Sequence, residues 1–250
     1  MKETHSILEK NYQVSSLNID TNKRLSLFGL LGILQDAAWE HASILGFGYE
    51  SALEKGFFWA LIRQKLKMET WPTWHEQVTL KTWTRPVAGI YATREFELFV
   101  NDQKIGACST TWVILDSETR RPKILERAEL LYKPRIDYSL GFAAEKIVPP
   151  KELKSLKTFE VEISDLDINQ HVNNIKYAQW MLDSIPFKDH QKMIIRDYEI
   201  NFLAEAFLGD HVEILSNMEP QQSKAEPVSF QGIRQNDSKA VFTARIISTS

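Results

Sequence analysis

The feature that most constrains this chain is that it repeats itself: the order of elements legible in its first half returns in its second. An extended opening at residues 9–19 leads into 25–46, where Leu27, Leu30, Leu31, Leu34, Ala37, Ala38 and Ile44 recur at three- and four-residue spacing and predict a helix. Gly46 and Gly48 supply its stop. Runs rich in Trp, Thr, Val and Phe follow at 57–68, 77–85, 92–100 and 104–115, the last two joined by an Asn101-Asp102 turn. A strand at 158–163 then restarts the pattern, with a helix at 174–185 closed by Pro186. Long strands at 193–203, 211–218, 227–234 and 240–247 complete it. Leu61-Ile62-Arg63 answers Ile194-Ile195-Arg196, and Trp39 answers Trp180.

Each half therefore reads as a strand, a helix and a meander of antiparallel strands. A lone helix cannot form a core, but laid across a curved antiparallel sheet it buries both apolar faces. The expectation is an α+β protein of two units, about 125 residues each. They are placed at 1–135 and 136–250, with a proline- and charge-rich connector over about 116–155. The length of 250 residues alone allows one large domain or two, and the repeat selects two.

Composition narrows the function. With 43% hydrophobic and 25% charged residues the chain has material for a core, and a net charge of −3 gives no field to recruit nucleic acid or anionic membrane. No run approaches the roughly 20 apolar residues a stable membrane insertion needs. The first residues, 1–16, show neither a secretory nor an import leader, so the expected location is cytoplasmic. The single Cys108 makes neither an internal disulfide nor a multi-thiolate zinc site, and His190 and His211 stand isolated. No Gly-rich phosphate loop, Gly-x-Ser-x-Gly elbow or His-Glu-x-x-His stretch occurs, so neither metal nor cofactor is expected.

The repeat is most informative where it breaks. The second helix is entered through Asp167-Ile168-Asn169-Gln170-His171-Val172-Asn173-Asn174. Aligned on the tryptophans, Asp167, Asn169 and His171 fall opposite Ser26, Phe28 and Leu30, a polar entrance against an apolar one. Composition alone makes this run a turn with a helix cap. A helix needs one cap, however, and five polar or ionisable groups crowd this entrance, next to N–H groups suited to a developing oxyanion. The following strand brings Glu205 where the first half has Trp71 or Pro72. An acid beside a histidine can orient it or activate water, whereas a lone glutamate at a strand end does neither.

Four stretches together carry a resemblance over nearly the whole chain. They are Leu34-Gln35-Asp36-Ala37-Ala38, then Trp71-Pro72-Thr73-Trp74, then Thr111-Trp112-Val113-Ile114-Leu115-Asp116 with Thr119-Arg120-Arg121, and finally the run from Asp167 to Asn174 with Tyr177 and Trp180. The chain resembles the acyl-acyl-carrier-protein thioesterases, of the bacterial type without a transit peptide. That resemblance implies two tandem hot-dog domains, the first housing the acyl chain and the second the chemistry. It implies Asp167, Asn169, His171 and Glu205 as the catalytic group, with Asn173 and Asn174 at the helix entrance meeting substrate. Leu30, Leu34, Trp39 and Phe58 are expected along the acyl chain. Plant members often carry a cysteine after the glutamate; here Ala206 stands there, which removes a thiol nucleophile.

The implied reaction is hydrolysis of a fatty acyl thioester on the phosphopantetheine arm of acyl carrier protein, with Asp167 or Glu205 acting as base on water or attacking directly and His171 shuttling or orienting protons. The implied protein is a monomeric pseudo-dimer or a homodimer. An acyl-CoA donor shares the same arm and is the first alternative. A hot-dog dehydratase lacks support because its proline-rich histidine motif is missing, and a non-catalytic acyl-binding module would leave the polar run without a use. Carrier recognition would fall to connector cations, Arg120, Arg121, Lys123, Arg127, Lys133 and Arg135, although Glu118, Glu126 and Glu129 interleave with them.

Overall fold

The computed structural model describes residues 6–123, 134–218 and 227–249. The chain divides into two compact units, one of Met1–Gln64 with Glu69–Ala143 and one of Lys65–Met68 with Ala144–Ser250. The first runs β1 (Ile7–Gln13), α1 (Leu27–Ile44), α2 (Tyr49–Glu54), β2 (Phe57–Met68), β3 (Gln77–Thr84), β4 (Tyr91–Val100) and β5 (Gln103–Asp116). The second runs β6 (Lys154–Glu160), α3 (Asn174–Asp183), α4 (Phe187–Lys192), β7 (Ile194–Phe202), β8 (His211–Ser216), β9 (Val228–Arg234) and β10 (Lys239–Thr249). Strands are ordered β1-β3-β4-β5-β2 in the first unit and β6-β8-β9-β10-β7 in the second, the same order twice. The expected strand–helix–meander repeat is present in each. The short helices α2 and α4 are additions that apolar spacing did not signal, and Pro186 caps α4 rather than only ending α3.

In the first unit Ser26 starts α1, its Oγ accepting the Gly29 N–H at 3.0 Å. Leu27, Leu30, Leu31, Leu34, Ala37 and Ala38 form the buried face, as their spacing predicts, and α1 lies on β1 and β3. Ile44, expected on that face, is exposed. The face also buries His41, whose Nδ1 sits 2.8 Å from Arg94 on β4. In the second unit Tyr177 on α3 packs against Phe202 on β7 and Phe242 on β10, and Trp180 stacks on Phe159 of β6 at 5.7 Å. Gly232 on β9 makes room for this cluster, since a Cβ there would lie 2.3 Å from the Phe242 ring. Each fully buried aromatic contributes about 1.5–3 kcal/mol.

The faces of the sheets away from the helices carry acids. On β4, Glu95 accepts from Trp83 Nε1 (2.9 Å), Ser139 Oγ (3.1 Å) and the Leu140 N–H (3.3 Å), while Glu97 accepts from Tyr138 Oη at 2.7 Å. On β7, Glu199 accepts the Glu145 N–H at 2.5 Å, and Asn201 accepts the Ile147 N–H at 2.8 Å. Residues 135–140 therefore belong to the first unit, and the units divide after Ala143 rather than at the expected 135/136. Side-chain acceptors on the sheets satisfy the N–H groups of a connector that has no strand partner. Of the connector's charged residues, Glu126, Arg127, Glu129 and Lys133 lie outside the described residues. No helix among the described residues is long and apolar enough to cross a membrane.

Candidate active site

The run before α3 folds into a tight loop around Asp167. Its Oδ1 accepts the Asn169 N–H at 2.8 Å and the His171 N–H at 3.4 Å, while the Asp167 N–H donates to the His171 carbonyl at 2.8 Å. Gln170 takes a left-handed backbone (φ 63°) to close the turn. Asn173 then caps α3, its Oδ1 accepting the Ile175 N–H at 3.2 Å and its carbonyl the Lys176 N–H at 2.8 Å. Among the described residues the Asn174 N–H has no acceptor, so it is the helix-entrance donor open to a ligand. The Asn169 side chain, five residues earlier, is exposed.

The segment after β7 returns to this loop. The Val172 N–H donates to the Ala206 carbonyl at 2.9 Å, and that bond brings the neighbouring side chains together. His171 Nδ1 lies 3.2 Å from Glu205 Oε1, with the side chains 20% and 41% exposed. Phe207 meets the imidazole edge-on at 5.0 Å. A carboxylate at Nδ1 draws the ring proton to that nitrogen and leaves Nε2 as the acceptor. The expected juxtaposition of the histidine and the acid is thus present, while Asp167 is turned into its own loop.

Two family comparisons bear on this geometry. Residues 5–129 match the acyl-ACP thioesterase N-terminal domain and residues 149–246 the acyl-ACP thioesterase C-terminal domain. The chain belongs to the acyl-ACP thioesterase family. Among relatives of this chain, the chloroplastic dodecanoyl-[acyl-carrier-protein] hydrolase of Cinnamomum camphora is 26% identical over 88% of the chain, which spans 61% of that protein. The chloroplastic oleoyl-acyl carrier protein thioesterase of Coriandrum sativum is 24% identical over 87% of the chain and is spanned to 64% of its length. The chain thus spans under two thirds of these relatives. The solved acyl-ACP thioesterase of Bacteroides thetaiotaomicron superimposes with TM-score 0.83 at 24% identity, covering 100% of both chains. The 12:0-ACP thioesterase of Umbellularia californica gives 0.83 at 17% identity over 98% of this chain and 95% of its own. At these identities the likeness establishes the fold, a tandem of hot-dog units.

Within this chain the first unit holds a second copy of the loop, which corrects the alignment on tryptophans. Asp20 Oδ1 accepts the Asn22 N–H at 2.8 Å and the Arg24 N–H at 3.0 Å, and the Asp20 N–H donates to the Arg24 carbonyl at 2.7 Å. Lys23 has φ 61°, and the Leu25 N–H reaches the Pro72 carbonyl at 2.8 Å, as Val172 reaches Ala206. Asp20, Asn22, Arg24 and Ser26 therefore correspond to Asp167, Asn169, His171 and Asn173, and Trp71 corresponds to Glu205. The first helix entrance is polar, not apolar as the tryptophans suggested. Because α1 has 18 residues and α3 only 10, counting back from Trp39 and Trp180 lands on different parts of the two entrances. Arg24 folds back onto Asp20 with Nη2 3.0 Å from Oδ2, so this copy carries an arginine where the other has His171 and a tryptophan where it has Glu205.

The remaining expectations separate. Leu30 and Leu34 sit on the buried face of α1. Trp39 does not share that face; it is 40% exposed and stacks on Tyr49 of α2 at 5.9 Å. Phe57 points into the core, while Phe58 is half-buried under the Arg120 guanidinium, 5.2 Å from its ring centre. Sequence reasoning missed Arg234, whose Nη1 donates to the Glu205 carbonyl at 2.6 Å and whose guanidinium holds the Asp237 carboxyl well below the usual carboxylate range. Only the pairing of β8 with β9 reveals it, and no local motif marks that position.

Cys108 lies buried in β5, and burial pushes its thiol up to about 12, against a smaller opposing effect of the Gln64 amide. The thiolate form is then negligible near neutral pH. Iodoacetamide should leave the native protein unlabelled at mildly alkaline pH and label it on denaturation, as mass spectrometry would show. Rapid labelling of the native protein would contradict the burial.

Proposed function

We propose that the chain hydrolyses fatty acyl thioesters on the phosphopantetheine arm of acyl carrier protein, releasing free fatty acid and ending fatty acid synthesis. The observation that carries this reading is the His171–Glu205 pair, 3.2 Å apart at the entrance to α3, in a chain of the acyl-ACP thioesterase family. Water adds to the thioester carbonyl carbon as Glu205, through His171, accepts its proton. The carbonyl oxygen gains charge and is met by the Asn174 N–H at the helix N-terminus. When the carbon–sulfur bond breaks, the leaving thiolate takes the proton back. The exposed Asn169 amide orients the water or the carbonyl.

Glu205 rather than Asp167 is the base in this reading. Asp167 Oδ1 accepts two loop N–H groups, and Asp20 makes the same two bonds in the copy that lacks the histidine. Leu30, Leu34 and Phe58 are assigned to the acyl chain on their apolar character. The test is to mix purified protein with acyl carrier thioesters of graded chain length and to read both thiol and free acid. Release of both supports the reading, and acyl retention without release overturns it. Parallel assays on acyl-CoA at low and high salt separate the donors, because a charge-steered carrier complex weakens with salt.

A further inference from the structure

The two copies of the loop act as an internal control: one has the histidine and acid and the other has neither, in one strand order. A residue that serves the fold is needed in both copies, whereas one that serves the acid is needed in one. Register identifies the counterpart of Arg234. On the second sheet Val212 of β8 pairs with Arg234 of β9. On the first, Thr79 of β3 pairs with Phe99 of β4, and the same antiparallel register carried one residue further sets Val78 against Val100. Val78 corresponds to Val212, because β1 pairs Tyr12 with Val78 as β6 pairs Phe159 with Val212. Where Trp71 replaces Glu205, valine thus replaces Arg234.

Arg234 is itself held rigidly. Its Nε and Nη2 engage both oxygens of Asp237 at 3.0 and 2.7 Å, which leaves Nη1 directed at the Glu205 carbonyl at 2.6 Å. The same turn reaches the segment a second time, through Asn236 Nδ2 on Asp210 Oδ1 at 2.8 Å and Asp210 Oδ2 on the Phe207 N–H at 2.9 Å. Glu205 lies outside any strand, and these bonds help fix its position together with the Val172–Ala206 bond and those of the Leu203 and Ala204 N–H groups to the Val241 carbonyl (2.9 and 3.3 Å). We infer that Arg234, braced by Asp237, is a positioning residue that fixes the Glu205 carboxylate against His171.

The inference rests on the hydrolase reading above, so wild-type turnover is measured first; its absence would fail that reading and not this one. Given turnover, Arg234→Val, which installs the first unit's residue, should lower kcat by about 10–100-fold, since a displacement near 1 Å costs about that much. KM should stay nearly unchanged and the thermal midpoint close to that of wild type. Arg234→Lys should fall between, because an ammonium cannot grip Asp237 and the carbonyl together. The deciding measurement is the double variant: in a Glu205→Gln background, Arg234→Val should cost little more. Full kcat in Arg234→Val, or an equal loss with and without Glu205, overturns the assignment. If Arg234→Val does not fold, Arg234→Gln takes its place in the same cycle with the same outcomes.

Discussion

Replacing Glu205 with glutamine should lower kcat/KM on a fatty acyl carrier thioester by about 10²–10⁴, the range a positioned acid–base group supplies. The loss should appear in kcat, because glutamine keeps the shape and hydrogen-bonding reach of the side chain but cannot take a proton from water. His171→Ala should fall by a similar factor. The double variant should be little worse than the weaker single one, since groups that act as one unit are not additive. Stability should hardly move, because the Glu205 side chain is 41% exposed and its packing is slight. Near-wild-type turnover in both single variants would mean that the chemistry lies elsewhere.

The largest stability effect is expected at Glu199, whose side chain is fully buried on β7. Besides the Glu145 N–H it faces Lys65 Nζ at 3.3 Å and Arg245 Nε at 2.7 Å. Alanine there strands Lys65 and a backbone N–H around an apolar gap and leaves Arg245 with only the Glu145 carboxylate, 3.8 Å away, among the acids at this site. Removing one partner of a buried pair typically costs about 3–5 kcal/mol. For a protein of this size each kcal/mol moves the midpoint by about 2–4 °C, so Glu199→Ala should melt roughly 10 °C lower. Glu199→Gln keeps an acceptor for Glu145 and should lose less. A Glu199→Ala midpoint within ~2 °C of wild type would show that the network contributes little.

Much of this was legible in the residues, and the reasons are physical. Strand β3, whose residues alternate between buried and more exposed over most of its length, is legible nearly to the residue because one buried face imposes a period of two. The α3 entrance stood out because more polar groups crowd it than capping requires. The first copy of the loop escaped notice because Arg24 and Trp71 break the pattern in type, while hydrogen bonds from Asp20 preserve it in geometry. Arg234 lies 29 residues beyond Glu205, and only the β8–β9 register brings the two together. Trp39, expected along the acyl chain, is 40% exposed and stacks on Tyr49, a neighbour that the repeat does not signal.

Surface links between domains usually tolerate insertions and deletions, since little depends on their length. This one is different, because its main chain is stitched to side chains on both flanks of Gly141. Leu140 hangs from Glu95, and Glu145 and Ile147 hang from Glu199 and Asn201. A residue gained or lost between Glu145 and Ile147 shifts one of these N–H groups out of reach of its acceptor. Over evolutionary time the run from Glu145 to Ile147 should therefore keep its length even as its letters drift, behaving more like a strand than a tether.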